Sequence, residues 1–495
     1  MRVFVVLLAL CAGSSVVAEN ARVRYSWTSL RSNEKELYLN AIAKAMTSGY
    51  HMLFTQLFMD SGSLNQVVGT CGAPAWYRKY LLGYENMLRS LDPTFSKLTL
   101  PYWDLFEDAA KRISTRVACN GIEECSSMLV DFGGCNGPEI SSGAYIVNGE
   151  AIPSGNCANS SIAAHACTSR KKCEKCIPRG DWTIGDSSLE VGPTVFIDLI
   201  RQARNSTGVS ESRATAINSL RTAIQNSIQM PLHSILGGLY ETRAAAFDPI
   251  FLGHYATLDM VYQVYQSCNQ SIPLTGSCQG NSDLKVSSMV TIPMQFGSSP
   301  VEEHPKLGPF FETIGTKYKS MDAFAVTYEI DLFLQNMLKS FSRQCSVDTS
   351  AAGALSYASA KSTVEHAAST DTLVSSLAAC DQTSDVTGMT TEAASAFISC
   401  QILSSLQNGV FTNTSTPVRE FFRANQSNLP KCVSDLAAIT SAEVTVIPSS
   451  TCREALYSDT SISTKTDFNL RKNGFAIVTR GEQDGSIRFM NPPGK

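Results

Sequence analysis

The sequence predicts a mainly α-helical protein with a disulfide-stapled insertion and a helical, Cys-containing C-terminal extension. Three observations predict this. Apolar residues recur at helical spacing in residues 33–58, 73–89 and 247–268. Seven of the 16 cysteines crowd into residues 119–176, where Gly and Ser are frequent and periodicity is lost. Beyond residue 346 the chain is rich in Ser, Thr and Ala, with cysteines about 20 to 30 residues apart, a pattern that suits short helices tied by disulfides or a partly ordered tail.

The first 18 residues read as a signal peptide. Arg2 is a short positive start, Phe4 to Ala12 an apolar run, and Val16-Val17-Ala18 a small-residue cleavage site. No later segment offers the ~18 uninterrupted apolar residues that suggest a membrane span. The expected location is therefore extracellular, by secretion. Removing the peptide takes Arg2 and Cys11 with it and leaves 39 basic against 44 acidic residues, a net charge of −5. Such mild acidity gives no argument for nucleic acid as a partner.

Fifteen cysteines remain: Cys71, Cys119, Cys125, Cys135, Cys157, Cys167, Cys173, Cys176, Cys268, Cys278, Cys345, Cys380, Cys400, Cys432 and Cys452. In an oxidising compartment these are disulfide candidates, and the odd count leaves a free thiol or an intermolecular bridge. His165, Cys167, Cys173 and Cys176 have the look of a zinc knuckle, but oxidation to disulfides is the favoured reading. Asn159, Asn205, Asn269, Asn413 and Asn425 head Asn-X-Ser/Thr sequons and are expected to carry N-glycans.

Taken in order, residues 33–58 predict one helix, with Asn33 and Glu36 as its capping pair. APAWYRKYLLGYENMLR, residues 73–89, predicts an amphipathic helix, and LPYWDLFEDAAKR follows it. Helical signal returns at 193–204 and 213–229; a Pro-Leu-His break and Gly237-Gly238 come next, then the helix of FDPIFLGHYATLDMVYQVYQSC. A helix is predicted at 321–342, and the terminal GSIRFMNPPGK is predicted to be unstructured. The division is 1–18 signal peptide, 19–280 principal domain with 119–176 inserted, 281–345 linker and helix, and 346–495 the disulfide-containing C-terminal region.

Three segments in this order resemble the tyrosinase/haemocyanin family with its type-3 dicopper centre. RYSWTSLRSNEKELYLNAI is similar to the family's first helix. WYRKYLLGYENML followed by LPYWD resembles the half that binds the first copper. LHSILGGLY followed by AFDPIFLGHYATLDMVYQVYQ resembles the half that binds the second. The resemblance covers roughly residues 22 to 270 and implies a tyrosinase-like four-helix bundle, in which three imidazoles hold each copper.

The same resemblance locates six ligand positions, and most lack histidine. His51 stands at the first position of the first site. The second falls on Val68 by strict spacing, or on Cys71 if the loop is shortened. The third is Tyr77, where the family writes Trp-His-Arg. In the second half Gln229 precedes His233 by four residues, and His233 itself matches. The family's His-His pair reads His254-Tyr255 here, so the ligand position falls on Tyr255. At most two of six positions hold histidine, or three if His254 turns inward. Asp104, Asp248 and Asp259 match acidic positions that orient helices and caps.

These substitutions imply a degenerate copper site with no catalytic residue and no cofactor. The leading expectation is a secreted, copper-free, non-enzymatic glycoprotein with a structural, extracellular-matrix or storage role. Its partners would be other secreted or matrix proteins, or copies of itself. The alternative is a copper-dependent phenol oxidoreductase with an altered ligand set, such as one copper on His233, His254 and a tyrosinate. A third possibility is a binding module that uses the vacated pocket for a small ligand.

Overall fold

Gly49 divides the first predicted helix in two. In the computed structural model α1 spans Ser32–Ser48 and α2 spans Tyr50–Met59. Gly49 lies between them at φ 81°, a left-handed conformation that suits a residue without Cβ. The start also differs from the expected Asn33–Glu36 pair. The cap is Arg31, whose N–H donates to the Glu34 carboxylate at 2.9 Å while its guanidinium meets the same group at 2.7 Å. The structure describes residues 22–113, 119–182 and 220–268 except positions 63, 65–67, 71, 120, 170 and 171, together with parts of 191–199 and 278–341, residues 415–424, and strands at 476–480 and 487–490. The expected signal peptide and most of the region beyond 345 lie outside the described residues.

Helix α3, Ala73–Ser90, carries Pro74 in its first turn and is buried on nearly every face. Burial all round marks the central helix of the assembly. Its charged residues must therefore find partners. Arg78 reaches Asp259 at 2.8 Å, Lys79 reaches Glu302 at 2.6 Å, and Glu85 takes Arg22 at 2.7 Å and Arg24 at 3.2 Å. Gly83 lets the Phe311 ring lie against the helix, since a Cβ there would come within 2.3 Å of it. Helix α4, Leu105–Ile113, follows the PYWD turn.

The proline at 231 does not break the chain. Helix α5, Met230–Leu236, runs through it, preceded by a π-helical turn at Gln225–Gln229 in which the Met230 N–H bonds back to the Gln225 carbonyl. The wider turn accommodates a residue that has no N–H to offer and whose ring crowds the preceding turn. Helix α6, Ile250–Cys268, starts under a cap from Asp248, which accepts the Ile250 N–H at 3.1 Å.

Strand β1, Arg22–Arg24, lies ahead of α1. The insertion holds β2 (Glu139–Ile140) and β3 (Gly155–Ala158), and with β4 (Ile177–Arg179), just past its expected end, they form a three-stranded antiparallel sheet in the order β2-β3-β4. Bridges Cys119–Cys125, Cys157–Cys176 and Cys167–Cys173 staple it. Cys135 is buried and unbridged. The three bridges use up the thiolates that a zinc knuckle would need.

The helix predicted at 321–342 is shorter than expected and is preceded by a three-residue strand. Strand β5, Val326–Tyr328, pairs in parallel with β1, Arg24 opposite Tyr328, and only then does α7, Leu332–Phe341, begin. Val-Thr-Tyr favours a strand, and Asp331 caps α7 by accepting the Leu334 N–H at 2.8 Å. The preceding segment, expected as linker, contributes Val301, Leu307, Phe311 and Ile314 to the core. Helix α8, Thr416–Phe421, packs on α5. Near the end β6, Ala476–Arg480, pairs antiparallel with β7, Ile487–Met490, the latter within the terminal stretch expected to be unstructured. Among the described residues no helix is long and apolar enough to cross a membrane.

Candidate functional site in the bundle

Four elements aim side chains at the centre of the bundle: α2, α3, the π turn with α5, and α6. His51 comes from α2, Tyr77 and Tyr84 from α3, Gln229 and His233 from the π turn and α5, and His254 and Tyr255 from α6. All seven are buried.

The imidazole of His51 is fully committed. Its Nε2 lies 2.8 Å from the Phe247 carbonyl oxygen and its Nδ1 lies 2.7 Å from the Tyr84 hydroxyl. A carbonyl can only accept, so Nε2 carries the proton and Nδ1 accepts from Tyr84. Burial pushes the ring's pKa down to about 4, so it stays neutral. No lone pair is left for a metal.

His233 is held differently. Its Nδ1 donates to the Tyr240 carbonyl at 2.7 Å, which leaves the Nε2 lone pair facing the Tyr255 hydroxyl at a loose 3.5 Å. A backbone acceptor on one nitrogen and an open lone pair on the other is the arrangement that metal-binding histidines use. His254 lies beside it, ring centroids 5.6 Å apart, and both its nitrogens are buried with no hydrogen-bond partner. Burial, and then the neighbouring His233, hold its pKa well below the usual histidine range.

The remaining family positions carry non-imidazole groups. Tyr77 stands edge-on to Tyr255 at 4.7 Å, with Gln229 beside its hydroxyl. Burial pushes Tyr77 up to about 12 and Tyr255 well above the usual phenol range, so both hold their protons. Tyr255 also stacks on Phe251 at 3.9 Å. Val68 is buried and offers no donor. Cys71 lies outside the described residues. On its other side His233 meets the Phe421 ring, stacked at 6.0 Å, and the Phe422 ring, edge-on at 4.9 Å.

A type-3 copper pair does not fit this donor set. The half built on His51, Val68 and Tyr77 has one imidazole, and both its nitrogens are taken. The half built on Gln229, His233 and Tyr255 has one matching imidazole, with His254 as a second whose ring nitrogens are both unpartnered. Losing even outer-shell partners costs metal sites roughly 10- to 100-fold in affinity, and here most of the inner shell is replaced.

The three aspartates have structural work in the described fold. Asp248 takes Arg179 through two bonds, at 2.7 and 2.9 Å. Asp259 takes Arg78 at 2.8 Å and Arg24 at 3.4 Å, and accepts from Tyr328 at 2.7 Å. Asp104 accepts the Thr28 N–H at 2.9 Å. Sequence reasoning did not single out Tyr84, Arg179, Tyr240 or Phe421. Tyr84 alone carried a signal, standing seven residues after Tyr77 on the same helical face. Of the sequons, Asn159 is exposed; Asn205, Asn269, Asn413 and Asn425 lie outside the described residues. Cys345, Cys380, Cys400, Cys432 and Cys452 do as well, and no side-chain geometry is described for Cys268 and Cys278.

Residues 49–268 match the family model described as the common central domain of tyrosinase. A stretch of 95 residues is 30% identical to grixazone synthase of Streptomyces griseus, which covers 17% of this chain and 30% of the relative's length. Through residues 49–268 the chain is thus similar to the central domain of tyrosinase.

Proposed function

We propose that the protein is a secreted, non-enzymatic glycoprotein in which a copper-free tyrosinase-like bundle serves as a structural, extracellular-matrix or storage scaffold. The observation that carries this reading is the state of His51. Its two ring nitrogens are spent on Tyr84 and Phe247, so the one imidazole of the first half-site is a hydrogen-bonded core residue. The phenols of Tyr77 and Tyr255 and the amide of Gln229 fill the centre with a polar cluster, and the aromatic rings at 421 and 422 cover His233. Partners are other secreted or matrix proteins, or further copies of the chain.

The test is metal analysis together with a diphenol oxidase assay on the purified full-length protein after incubation with copper. The expected result is less than stoichiometric copper and no turnover. Two coppers per chain with turnover would overturn the proposal.

One observation favours a second reading. The unpartnered nitrogens of His254, beside the open Nε2 of His233, suit a single copper held with Tyr255 and a phenol-oxidising role. Imidazole is a suitable copper donor. Such a protein would show the paramagnetic signal of one isolated Cu(II) and no peroxide-induced near-ultraviolet band, since that band needs a coupled pair.

A further inference from the structure

We propose that Asp104, Glu107 and Asp331 form a binding site for one hard divalent cation, calcium in an extracellular setting, that ties the PYWD turn and α4 to the start of α7. Each residue offers a carboxylate oxygen, and these oxygens lie within 4.8 Å of one another. Calcium binds oxygen at 2.3–2.6 Å, so oxygens that close can all touch one ion. The site contains neither imidazole nor thiolate, which selects for calcium-like ions over transition metals.

The hydrogen bonding around the cluster points the same way. Asp104 is 2% exposed, and its Oδ1 is buried without any partner, while Oδ2 takes the Thr28 N–H. A buried, unsatisfied carboxylate oxygen is costly. Asp331 spends Oδ1 on the Leu334 N–H, and its Oδ2 lies 3.3 Å from the Tyr102 hydroxyl. That hydroxyl has one proton to share between Asp331 and the Glu329 carbonyl at 3.0 Å, so one of these oxygens goes short. Lys111 reaches Asp108 at 3.0 Å and Glu107 at 3.4 Å, with Asp104 and Asp331 beyond its ion pairs. Burial, followed by the charges of Asp331, Asp108 and Glu107, holds Asp104 well above the usual carboxylate range. Burial, and then Glu107, raise Asp331 too. A bound dication relieves this mutual repulsion, as a single proton does only in part. Glu107 and Asp331 are half-buried, so one side stays open for water to complete the shell.

The experiment uses the full-length protein stripped with a chelator and titrated with calcium chloride alone, read by calorimetry and by the thermal midpoint. Terbium serves as an optical probe, because the Trp103 indole, which donates to Asp108 at 2.9 Å, is placed to sensitise its emission. We expect one ion per chain with a dissociation constant on the order of 10⁻⁴–10⁻³ M, the range of extracellular modules, and a midpoint that rises with calcium. Asp331→Asn keeps a capping oxygen for Leu334, and Glu107→Gln removes a charge from a half-buried position. Each should weaken binding roughly tenfold or more, and Glu139→Gln in the insertion should leave it unchanged. Absence of a calcium-dependent midpoint and of sensitised terbium emission in the wild-type protein overturns the site. Wild-type affinity in both cluster variants does so as well, because the ion would then sit elsewhere. If Asp331→Asn fails to fold, Glu107→Gln decides the matter.

Discussion

The two halves of the bundle site hold their histidines in opposite ways. On the first-half side, His51 gives a proton to the Phe247 carbonyl and takes one from Tyr84, at 2.8 and 2.7 Å. On the second-half side, His233 keeps an open Nε2 and His254 keeps two unpartnered nitrogens. The first half has become an ordinary satisfied core. The second retains groups whose hydrogen-bonding capacity goes unused, which natural cores seldom tolerate. The departure from the family's ligand pattern is thus structurally uneven: in one half a tyrosine and a carbonyl satisfy the histidine, while in the other aromatic rings cover it.

The sharpest way to break this contrast is to rebuild the second half. Gln229→His and Tyr255→His together would place imidazoles beside His233 on the π turn and on α6. The expected outcome is one copper per chain by metal analysis, against none expected for the wild-type protein, with an isolated Cu(II) signal. Two coppers would mean that His51 gives up its bonds easily, and the contrast would fail.

Acid should reveal the same groups. Burial holds both His51 and His233 at about 4, against an ordinary 6.5. The unfolded chain therefore takes up these protons first. The stability from each histidine is complete above about pH 6.5 and is lost as the pH falls toward 4. Each shift corresponds to about 3 kcal/mol. His254, held lower still by burial, adds in the same direction. Asp104 and Asp331 oppose this, since their raised values favour the fold at low pH and lose that contribution as the pH rises. Denaturant titrations across pH 4–7, in wild type and in a His233→Asn variant, should differ by a shallower acid slope in the variant.

Single substitutions should separate the halves by sign. His51→Ala leaves a cavity, strips the Tyr84 hydroxyl and the Phe247 carbonyl of their partner, and should cost about 3–5 kcal/mol. His254→Phe replaces two unsatisfied buried nitrogens with carbon at similar volume, and should be neutral or stabilising by about 1 kcal/mol. Chemical denaturation measures both. A cost above about 2 kcal/mol for His254→Phe would show that its nitrogens have partners after all.

Much of this arrangement was legible in the sequence. Helices α3 and α6 announce themselves through aromatic and apolar residues at helical spacing, and the replaced ligand positions can be read residue by residue. The break at Gly49 was hidden because one glycine inside an apolar run does not end a periodic pattern. Strand β5 was hidden because its partner, β1, lies some 300 residues earlier in the chain, and pairing over that distance leaves no local mark. The unequal states of His51 and His254 were invisible for a related reason. Whether a ring nitrogen is satisfied depends on what the fold brings to it, and Phe247, Tyr240 and Tyr84 arrive from other segments. The pairing of Arg179 with Asp248 likewise joins β4 to the cap of α6, which composition alone could not reveal.

The smallest effect offers the cleanest comparison, because it removes one oxygen from each half and nothing else. Tyr84→Phe deletes the 2.7 Å donor to His51, a well-formed buried bond, and leaves Nδ1 with no partner. It should cost about 1–2 kcal/mol. Tyr255→Phe deletes a hydroxyl that stands 3.5 Å from His233, at the limit of hydrogen bonding, while its ring stays stacked on Phe251. It should cost about 0.5 kcal/mol or less. Unfolding midpoints of the two variants, taken at pH 7 where all three histidines are neutral, give the difference directly. Equal costs would mean that the Tyr255 hydroxyl closes on His233 in solution, and that the second half is as well satisfied as the first.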